Sequence, residues 1–342
     1  MSIDSRMKKY ADGGFKRWHT PGHKGSLDLN DLTEIGGDGG VFPSLGVYKA
    51  QEKAAKFYGS KYCFFLVGGS SAGMKAAIMS AGGDIIAPKN RHICVDMGAA
   101  LARVDICEFD TGKDDDGLYR AVGVGDVKLA LKKYPQAKAV VITSPDYYGI
   151  TSSARVADEV HAAGKLLIVD SAHGAHFAAR RDLFGDGFSS VADLCVMSAH
   201  KTMHAYTQSA YMCCNDKTLA EKAEAYLALI GTTSPSYLLL AGLENAVEYA
   251  KKNAAGYDGL KAATDTFREK IDCVRNGDFT RLVVKADKLG MSGKELFYAL
   301  KEKGHVAEMF DDKRTVFIVT LDDTPDDVRN LCECIVRIRD ER

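Results

Sequence analysis

Two stretches decide the fold class of this chain: Lys165-Leu-Leu-Ile-Val-Asp-Ser-Ala-His-Gly-Ala-His176 and Asp193-Leu-Cys-Val-Met-Ser-Ala-His-Lys-Thr202. Each contains an apolar run of strand length that does not alternate with polar residues, so both faces of the predicted strand are apolar. Strands of this kind lie in parallel sheets that helices cover on both sides. The two stretches therefore predict an α/β protein with a buried sheet.

Similar apolar runs recur on either side of these two stretches, with helical patterns between most of them. Strands are predicted over residues 63–67, 84–88, 104–109, 137–143, 165–170, 193–198 and 208–214. Helices are predicted over residues 47–58, 71–81, 126–134, 154–163 and 217–229. This alternation predicts a mainly parallel sheet of seven strands.

The pattern changes after residue 236, where a helical stretch over 237–253 continues to 273 without a strand. Strands are then predicted over residues 280–286, 305–309 and 315–321, with helices over 292–303 and 324–340. Ser292-Gly-Lys-Glu295 and Thr324-Pro-Asp-Asp327 are typical of helix starts. We predict a large domain with an N-terminal arm over residues 1–255, and a small C-terminal α+β domain over residues 256–342.

The composition excludes several classes of protein. The chain has 342 residues, of which 46% are hydrophobic and 27% charged, and a formal net charge of −1, as in ordinary soluble globular proteins. A balanced charge gives no general attraction to nucleic acid or anionic membranes. We find no apolar stretch long enough to span a membrane and no N-terminal signal peptide, so a cytoplasmic protein is predicted. The nine cysteines are not spaced as a disulfide framework or a zinc site, and reduced thiols are expected.

An anion site is predicted where the first strand ends, at Gly68-Gly-Ser-Ser-Ala-Gly73. Glycines allow close approach of the backbone, serines supply hydroxyl groups, and the start of the following helix presents free N–H groups to an anion such as phosphate. Met74 stands where a Walker loop needs lysine, and Ser70 stands where a dinucleotide fingerprint needs glycine. A plain strand-to-helix turn is the alternative interpretation.

Two further groups follow neighbouring strands. Asp170 ends one apolar run, where a partly desolvated carboxylate needs a cationic partner. Lys201 lies just beyond the next strand, where desolvation lowers the pKa of an amine and makes it a nucleophile. A phosphate loop, a carboxylate and an amine are together what pyridoxal 5'-phosphate requires. His173 and His176 have no third ligand nearby in the sequence, so polar contacts are expected there and no metal is predicted.

The chain resembles the fold-type I pyridoxal-phosphate enzymes of the ornithine/lysine/arginine decarboxylase family, specifically their short bacterial forms. The matching segments are His19-Thr-Pro-Gly-His-Lys-Gly25, Asp31-Leu-Thr-Glu34, Gly46-Val-Tyr-Lys-Ala-Gln51, Ala54-Ala-Lys-Phe-Tyr-Gly59, Phe64-Phe-Leu-Val-Gly-Gly-Ser-Ser-Ala-Gly73, Asp170-Ser-Ala-His-Gly-Ala-His-Phe177, Ser198-Ala-His-Lys-Thr202, Thr207-Gln208 and Thr233-Ser-Pro-Ser-Tyr-Leu238. A weaker likeness continues through Gly304-His-Val-Ala-Glu-Met309 and Leu321-Asp-Asp-Thr-Pro325. The resemblance implies an aspartate-aminotransferase-like large domain.

The resemblance also implies roles for individual residues. Lys201 would be the Schiff-base lysine, Asp170 the partner of the pyridine nitrogen, and His92 the residue that stacks on the ring; these three form the predicted catalytic set. The other predicted cofactor-binding residues are Ser70, Ser71, Ala172, His173, Ser198 and His200. Thr233 and Ser234 match a segment that reaches a neighbouring subunit's cofactor, which implies a homodimer with shared active sites.

The function that the resemblance implies is decarboxylation of lysine, ornithine or arginine to the amine and carbon dioxide. Such a substrate needs a carboxylate for its distal cation, and Glu308 and Asp311 are the candidates, although each could instead be a solvated turn residue. Arg314 begins a predicted strand where transaminases of this fold place an arginine that binds the substrate carboxylate, so an aminotransferase or lyase is the second hypothesis. The favoured interpretation of Arg314 is nevertheless a surface arginine after Asp311-Asp312-Lys313, and a third hypothesis is a non-catalytic descendant of the family.

The chain departs from the family pattern at a few places. Ile93-Cys94 replaces the usual Lys-Ser after His92, and Met203-His204 replaces the usual Leu-Pro after Lys201. From the resemblance, we expect the chain to be shorter after residue 245 than most members and to lack the N-terminal wing domain of the large inducible enzymes.

Overall fold

Seven strands form the central sheet of the computed structural model, which describes residues 2–14, 16–28, 30–33 and 46–341. Its strands are β1 (Tyr62–Leu66), β2 (Ile85–Pro88), β3 (Ile106–Phe109), β4 (Ala139–Thr143), β5 (Leu166–Asp170), β6 (Leu194–Ser198) and β7 (Ala210–Cys214). They are ordered β1-β7-β6-β5-β4-β2-β3, and β7 pairs antiparallel with both of its neighbours while the pairs from β6 to β3 are parallel. The predicted α/β class and the mainly parallel seven-stranded sheet are confirmed.

Alternate residues of the central strands pack into different cores. Leu167 and Val169 of β5 lie in one hydrophobic cluster, whereas Ile168 between them lies in another. Successive side chains of a strand point to opposite faces, so two clusters mean that both faces of the sheet are covered. The strands are therefore continuous apolar runs because both of their faces are buried.

The helices in the part of the chain that the structure describes are α1 (Ile3–Ala11), α2 (Val47–Tyr58), α3 (Gly69–Ala81), α4 (Ile93–Ala102), α5 (Val124–Lys133), α6 (Val156–Ala162), α7 (Arg181–Phe184), α8 (Ala199–Thr202), α9 (Lys217–Ile230), α10 (Tyr237–Asn253), α11 (Gly256–Lys270), α12 (Gly293–Glu302) and α13 (Pro325–Asp340). Short 3-10 turns cover Phe177–Ala179 and Ala286–Leu289. None of the helices in this described part combines the length and the apolarity that crossing a bilayer needs.

Two of the longer helices are absent from the sequence-based prediction. Helix α4 reads Ile-Cys-Val-Asp-Met-Gly-Ala-Ala-Leu-Ala, which has almost no polar face from which a helical period can be recognised. Its N-cap is His92, whose ring accepts a hydrogen bond from the N–H of Cys94. Helix α1 packs Ile3 and Met7 into the large core as part of the N-terminal arm. Glu34, at the end of one family-like segment, lies outside the described residues.

A second sheet follows in the C-terminal part, with strands β8 (Arg281–Lys285), β9 (Met309–Phe310) and β10 (Arg314–Ile318) in the antiparallel order β8-β10-β9. The strand predicted over residues 305–309 is mostly loop, because only Met309 and Phe310 pair with β10. Both predicted helix starts are capping boxes, with Ser292 and Glu295 at α12 and Thr324 and Asp327 at α13. We propose that the small domain begins at residue 256, where α11 starts.

Candidate active site

A cavity of about 700 Å³ opens where β4, β5 and β6 end beside the start of α3. Functional groups collect at this edge of a parallel sheet because the loops that follow the strands meet there. The lining residues are Gly69, Ser70, Ser71, Asn90, Arg91, His92, Lys113, Gly117, Leu118, Tyr119, Thr143, Asp146, Tyr147, Tyr148, Asp170, Ala172, His173, Ser198, His200, Lys201 and Arg314. The structure therefore brings together ten of the predicted site residues: Ser70, Ser71, His92, Asp170, Ala172, His173, Ser198, His200, Lys201 and Arg314.

The predicted anion loop forms one end of the cavity. Helix α3 starts at Gly69, two residues before its predicted start, so Ser70 and Ser71 lie in its first turn. Gly69 has a φ of +72°, a left-handed conformation that favours glycine. The hydroxyl of Ser198, at the end of β6, donates to the Ser70 hydroxyl over 2.7 Å. Hydroxyl groups and free backbone N–H groups are therefore available to an anion at a helix N-terminus.

Asp170 provides a buried carboxylate at the end of β5. Its Oδ1 accepts the N–H of Ala172 over 3.1 Å, and the thiol of Cys94 lies 3.9 Å from its Oδ2. Burial raises the pKa of Asp170, although the Ala172 N–H and the nearby His92 and Lys201 act in the opposite direction. A carboxylate held in this way favours a cationic ligand at Oδ2, because a positive charge offsets the cost of desolvation.

Lys201 lies in the short helix α8 directly after β6. Burial lowers the pKa of its amine, and Arg281 lowers it further, whereas Asp170 raises it. Its Nζ lies 3.2 Å from Nε2 of His173. The combination favours an uncharged, nucleophilic amine. His176, the other histidine of the pair, contacts the buried Asp278 and Thr280 instead.

Two tyrosines join the cavity to the C-terminal sheet. Tyr147 donates its hydroxyl hydrogen bond to Glu308 over 2.6 Å, and Tyr148 donates to Asp311 over 3.0 Å. Arg314 donates from Nη1 to the same Asp311 carboxylate over 2.9 Å and also to the backbone carbonyl of Asp116. Arg314 is only 7% exposed, so the interpretation of Arg314 as a surface residue is wrong. The Asp311 ion pair and the Tyr148 ring beneath the guanidinium hold the side chain inside the protein.

Thr233 and Ser234 lie apart from this cavity. They belong to the loop between α9 and α10, where both are exposed, and neither is among the residues that line the cavity in the described part of the chain. Within one chain, this loop therefore does not reach the cavity. Glu308 and Asp311 also stand outside the lining and reach it through the two tyrosines.

Several lining residues are missed by the sequence analysis. Asp146, Tyr147 and Tyr148 follow β4, and the rule that directs attention to the ends of β5 and β6 would also find them. Asp146 accepts the N–H groups of Tyr148 and Ile150 at Oδ1, and burial raises its pKa to about 6. Arg281 gives no sequence signal, because nothing in the pattern shows that the first residue of β8 is buried beside His173.

Unpaired polar atoms in the cavity wall fit a polar ligand such as pyridoxal phosphate. Thr143 Oγ1 and Asn90 Oδ1 are buried and have no hydrogen-bond partner within the described part of the chain. Buried polar groups are nearly always hydrogen-bonded in native proteins, so these atoms indicate a ligand or ordered water. An anion site, a carboxylate and an amine stand around the same space, which matches the phosphate, ring nitrogen and aldehyde of the cofactor.

Comparisons with known proteins agree with this geometry. The model of the Orn/Lys/Arg decarboxylase major domain matches residues 26–305. The chain is 29% identical to the uncharacterized protein YaaO of Bacillus subtilis (strain 168), over 89% of this chain and 70% of that protein. It is 26% identical to an arginine decarboxylase of the same organism, over 97% of this chain and 76% of that enzyme.

Among solved structures, the Francisella novicida lysine decarboxylase LdcF matches with a TM-score of 0.81 at 16% identity, over 99% of this chain and 60% of that one. A Sphingomonas wittichii serine palmitoyltransferase matches with a TM-score of 0.72 at 14% identity, over 98% of this chain and 82% of that one. The chain thus spans about 60% of the length of the lysine decarboxylase. These likenesses confirm the predicted fold type I. Because the family model covers most of the chain, which also carries the matching cavity, this protein belongs to the Orn/Lys/Arg decarboxylase family.

Proposed function

We propose that this protein is a pyridoxal-phosphate-dependent decarboxylase that converts lysine, ornithine or arginine into the amine and carbon dioxide. The main support for the proposal is that the start of α3, the Asp170 carboxylate and the Lys201 amine line one cavity. Family membership supports the reaction class. Nine free cysteines, seven of them buried, support the proposal that the enzyme works in the reducing cytoplasm.

The residues that would hold the cofactor follow from the cavity. Ser70, Ser71, Ser198 and His200 would bind its phosphate, Asp170 its ring nitrogen and Lys201 its aldehyde carbon. His92 and Ala172 would contact the two faces of the ring. When bound, pyridoxal phosphate supplies an electron sink for the bond that breaks at the substrate's α-carbon.

Each residue has a separate task in this scheme. Asp170 would hold a proton on the ring nitrogen, because a buried carboxylate is stabilised by an adjacent cation. His92 would contact the ring, and the hydrogen bond that its Nδ1 accepts from the Cys94 N–H holds its orientation. Lys201 would hold the aldehyde end of the cofactor, because its partly buried amine is available as a nucleophile. Lys201 and His92 are the candidates for the group that returns a proton to the α-carbon.

Of the two carboxylates considered for the substrate's distal cation, Glu308 is the better candidate. Asp311 already accepts hydrogen bonds from Tyr148, from the Arg314 guanidinium and from the backbone N–H groups of Lys313 and Arg314. Although burial opposes them, these bonds keep the pKa of Asp311 low.

Glu308 is less occupied than Asp311. It accepts from Tyr147 at Oε1, which leaves the second carboxylate oxygen to bind a substrate. Burial lowers the pKa values of His200 and Lys201, and the charge of Glu308 acts in the opposite direction on both, so Glu308 lies close enough to the reacting groups to act on them. Glu308 therefore combines an available oxygen with proximity to the reacting groups.

Changing Glu308 to glutamine should weaken binding of the basic amino acid. A charge-assisted hydrogen bond contributes roughly 1.5–3 kcal/mol, which corresponds to an increase in KM of about ten-fold or more, with a smaller change in kcat. Steady-state kinetics with the preferred amino acid measures both values. Glu302→Gln, on the exposed C-terminal end of α12, is the matched control and should leave KM unchanged. Unchanged KM in Glu308→Gln would remove Glu308 from the substrate site.

Transamination is the second candidate, because Arg314 is buried and reaches the cavity wall. An unpaired arginine there would bind the substrate carboxylate and stabilise the ground state from which carbon dioxide must leave. The Arg314 guanidinium, however, is paired with Asp311, which neutralises its charge. The pairing favours decarboxylation.

Product analysis distinguishes the candidates. The cofactor-loaded protein is incubated separately with lysine, ornithine and arginine, and the products are identified by mass, with Lys201→Ala as the inactive control. Decarboxylation gives the amine and carbon dioxide, whereas transamination gives a keto acid. Absence of any product from all three amino acids would contradict both and favour a non-catalytic family descendant.

We also propose that the active unit is a homodimer with shared sites. Ile93, Met97 and Leu101 lie one helical turn apart along α4 and are 60%, 46% and 52% exposed, although all three are apolar. This stripe begins next to His92, at the edge of the cavity. Exposed apolar stripes of this kind commonly mark interfaces. A partner chain on this face, related by a two-fold axis, would bring its Thr233 and Ser234 loop to the phosphate end of the cavity.

Mixed dimers test the shared site. A Lys201→Ala chain and a chain with alanine at both 233 and 234 should each be inactive alone. Mixing them should restore part of the activity, because one site of each heterodimer then has an intact lysine and an intact loop. Activity is measured after exchange of subunits, with each parent as control. Verified heterodimers that stay inactive, or a fully active wild-type monomer, would show that the sites are not shared.

A further inference from the structure

Three side chains from different parts of the fold form a chain of contacts that ends at Lys201. Arg281, the first residue of β8, lies with its Nη2 3.2 Å from Nδ1 of His173. The opposite ring nitrogen of His173, Nε2, lies 3.2 Å from Nζ of Lys201. Arg281 is 0% exposed and His173 is 5% exposed, so the contact between these two side chains is shielded from bulk water.

The hydrogen positions in this chain follow from the chemistry of its ends. A guanidinium carries only donors and remains protonated in proteins, so Nδ1 of His173 must be the acceptor. Burial lowers the pKa of His173, and the charges of Arg281 and Lys201 lower it further, so the ring is neutral. A neutral imidazole has one N–H, which must then lie on Nε2 and point at Lys201.

An N–H that points at an amine selects one protonation state. The uncharged amine of Lys201 has a lone pair that accepts from Nε2, whereas an ammonium has only donors. Protonating Lys201 would move the ring hydrogen to Nδ1, where it would face the N–H of Arg281. Two buried donors would then oppose each other, and an unpaired buried donor is unfavourable.

We infer that Arg281 is a positioning residue for Lys201: it sets the tautomer of His173, and His173 then holds the Lys201 side chain as a free amine. The inference rests on the proposed function to the extent that Lys201 is the cofactor's lysine. The inference also gives a reason for the burial of the Arg281 guanidinium, whose Nε and Nη1 atoms have no hydrogen-bond partner within the described part of the chain.

Several titratable groups influence the protonation of His173 and Lys201. Those that act on His173 are Arg281, Lys201, Asp278 and His176, and the ring of Tyr147 packs against it. Those that act on Lys201 are Asp170, Arg281, Glu308 and Cys94, with His200 beside it in sequence. Asp170 and Glu308 favour the charged ammonium form of Lys201. Burial and the N–H that His173 donates must therefore stabilise the free amine by more than these two carboxylates stabilise the ammonium.

The test measures the cofactor-free, full-length protein, in which Lys201 carries no ligand. Nitrogen-15 NMR of histidine-labelled protein gives the tautomer of His173, which is identified by its absence from the His173→Phe spectrum. The rate at which an amine-reactive reagent modifies Lys201, followed by peptide mass across pH, gives the apparent pKa of Lys201. Neither measurement requires decarboxylase activity, so failure here is distinguishable from failure of the proposed function.

The wild type is expected to show the Nε2–H tautomer of His173, and Arg281→Lys, which keeps a cationic donor, to retain it. Arg281→Met should lose this preference and slow modification of Lys201 at neutral pH by about ten-fold, which corresponds to a pKa higher by about one. His173→Phe should slow it similarly while Arg281 and its charge remain, which separates the contact chain from a through-space effect.

Arg268→Met is the matched control, because Arg268 donates to the backbone carbonyls of Val274 and Arg281 but does not contact His173. It should loosen the same segment and leave the His173 tautomer unchanged. An Nδ1–H tautomer in the wild type would overturn the inference even if no Arg281 variant folds. Retention of the wild-type tautomer in Arg281→Met, or an equal change in Arg268→Met, would also overturn it.

Discussion

Replacement of Lys201 by alanine should abolish covalent attachment of pyridoxal phosphate and, with it, amino-acid turnover. The side chain supplies a half-buried amine that contacts His173 and interacts with Asp170 inside the cavity. Loaded wild-type protein should be yellow, and borohydride reduction should fix the cofactor to the peptide that contains residue 201. The Lys201→Ala protein should show neither property, as measured by absorbance and peptide mass.

Lys113 provides a matched control, because it is a lysine that lines the same cavity. Its amine lies over the ring of Tyr119, 5.2 Å from the ring centroid. Lys113→Ala should keep the yellow colour and the reducible attachment at residue 201. Attachment that persists in Lys201→Ala, or that is lost only in Lys113→Ala, would show that another lysine binds the cofactor.

Replacement of Asp170 by asparagine should leave a protein that still binds the cofactor but has lost most of its turnover. The amide has no charge with which to hold a proton on the ring nitrogen, and an unprotonated ring accepts electrons poorly. We expect kcat to fall by at least about 10²-fold, or roughly 2.7 kcal/mol of activation free energy. Cofactor content is measured by absorbance and turnover by release of carbon dioxide.

Cys94→Ser is the control for Asp170→Asn, because the thiol lies 3.9 Å from Oδ2 of Asp170. Burial raises the pKa of Cys94 to about 12, so the thiol is neutral and a neutral hydroxyl should replace it with little loss of rate. Near-normal turnover in Asp170→Asn would show that Asp170 is not the partner of the ring. A large loss in Cys94→Ser would assign the effect to local packing instead.

Whether an element could be predicted from the sequence depends on whether its burial or its end leaves a local pattern of residues. Strands β5 and β6 are predictable because burial on both faces leaves a continuous apolar run, and the capping boxes of α12 and α13 because each is a local contact. Helix α4 is missed because its apolar residues serve both the core and an exposed stripe, which removes the helical period. The choice between Glu308 and Asp311 requires the structure, since it depends on which carboxylate Arg314 engages.

The sequence by itself determined the sheet and the meeting of the Gly68–Gly73 loop, Asp170 and Lys201 at one edge of it. Each depends on residues adjacent in the chain and on one general rule, that functional groups collect where parallel strands end. Only the tertiary structure decided that Tyr147 and Tyr148 connect the cavity to the C-terminal sheet, that Arg314 is buried, and that Arg281 lies behind His173. These contacts join residues far apart in the chain. Their geometry is set by how the two sheets pack together, which no local pattern of residues records.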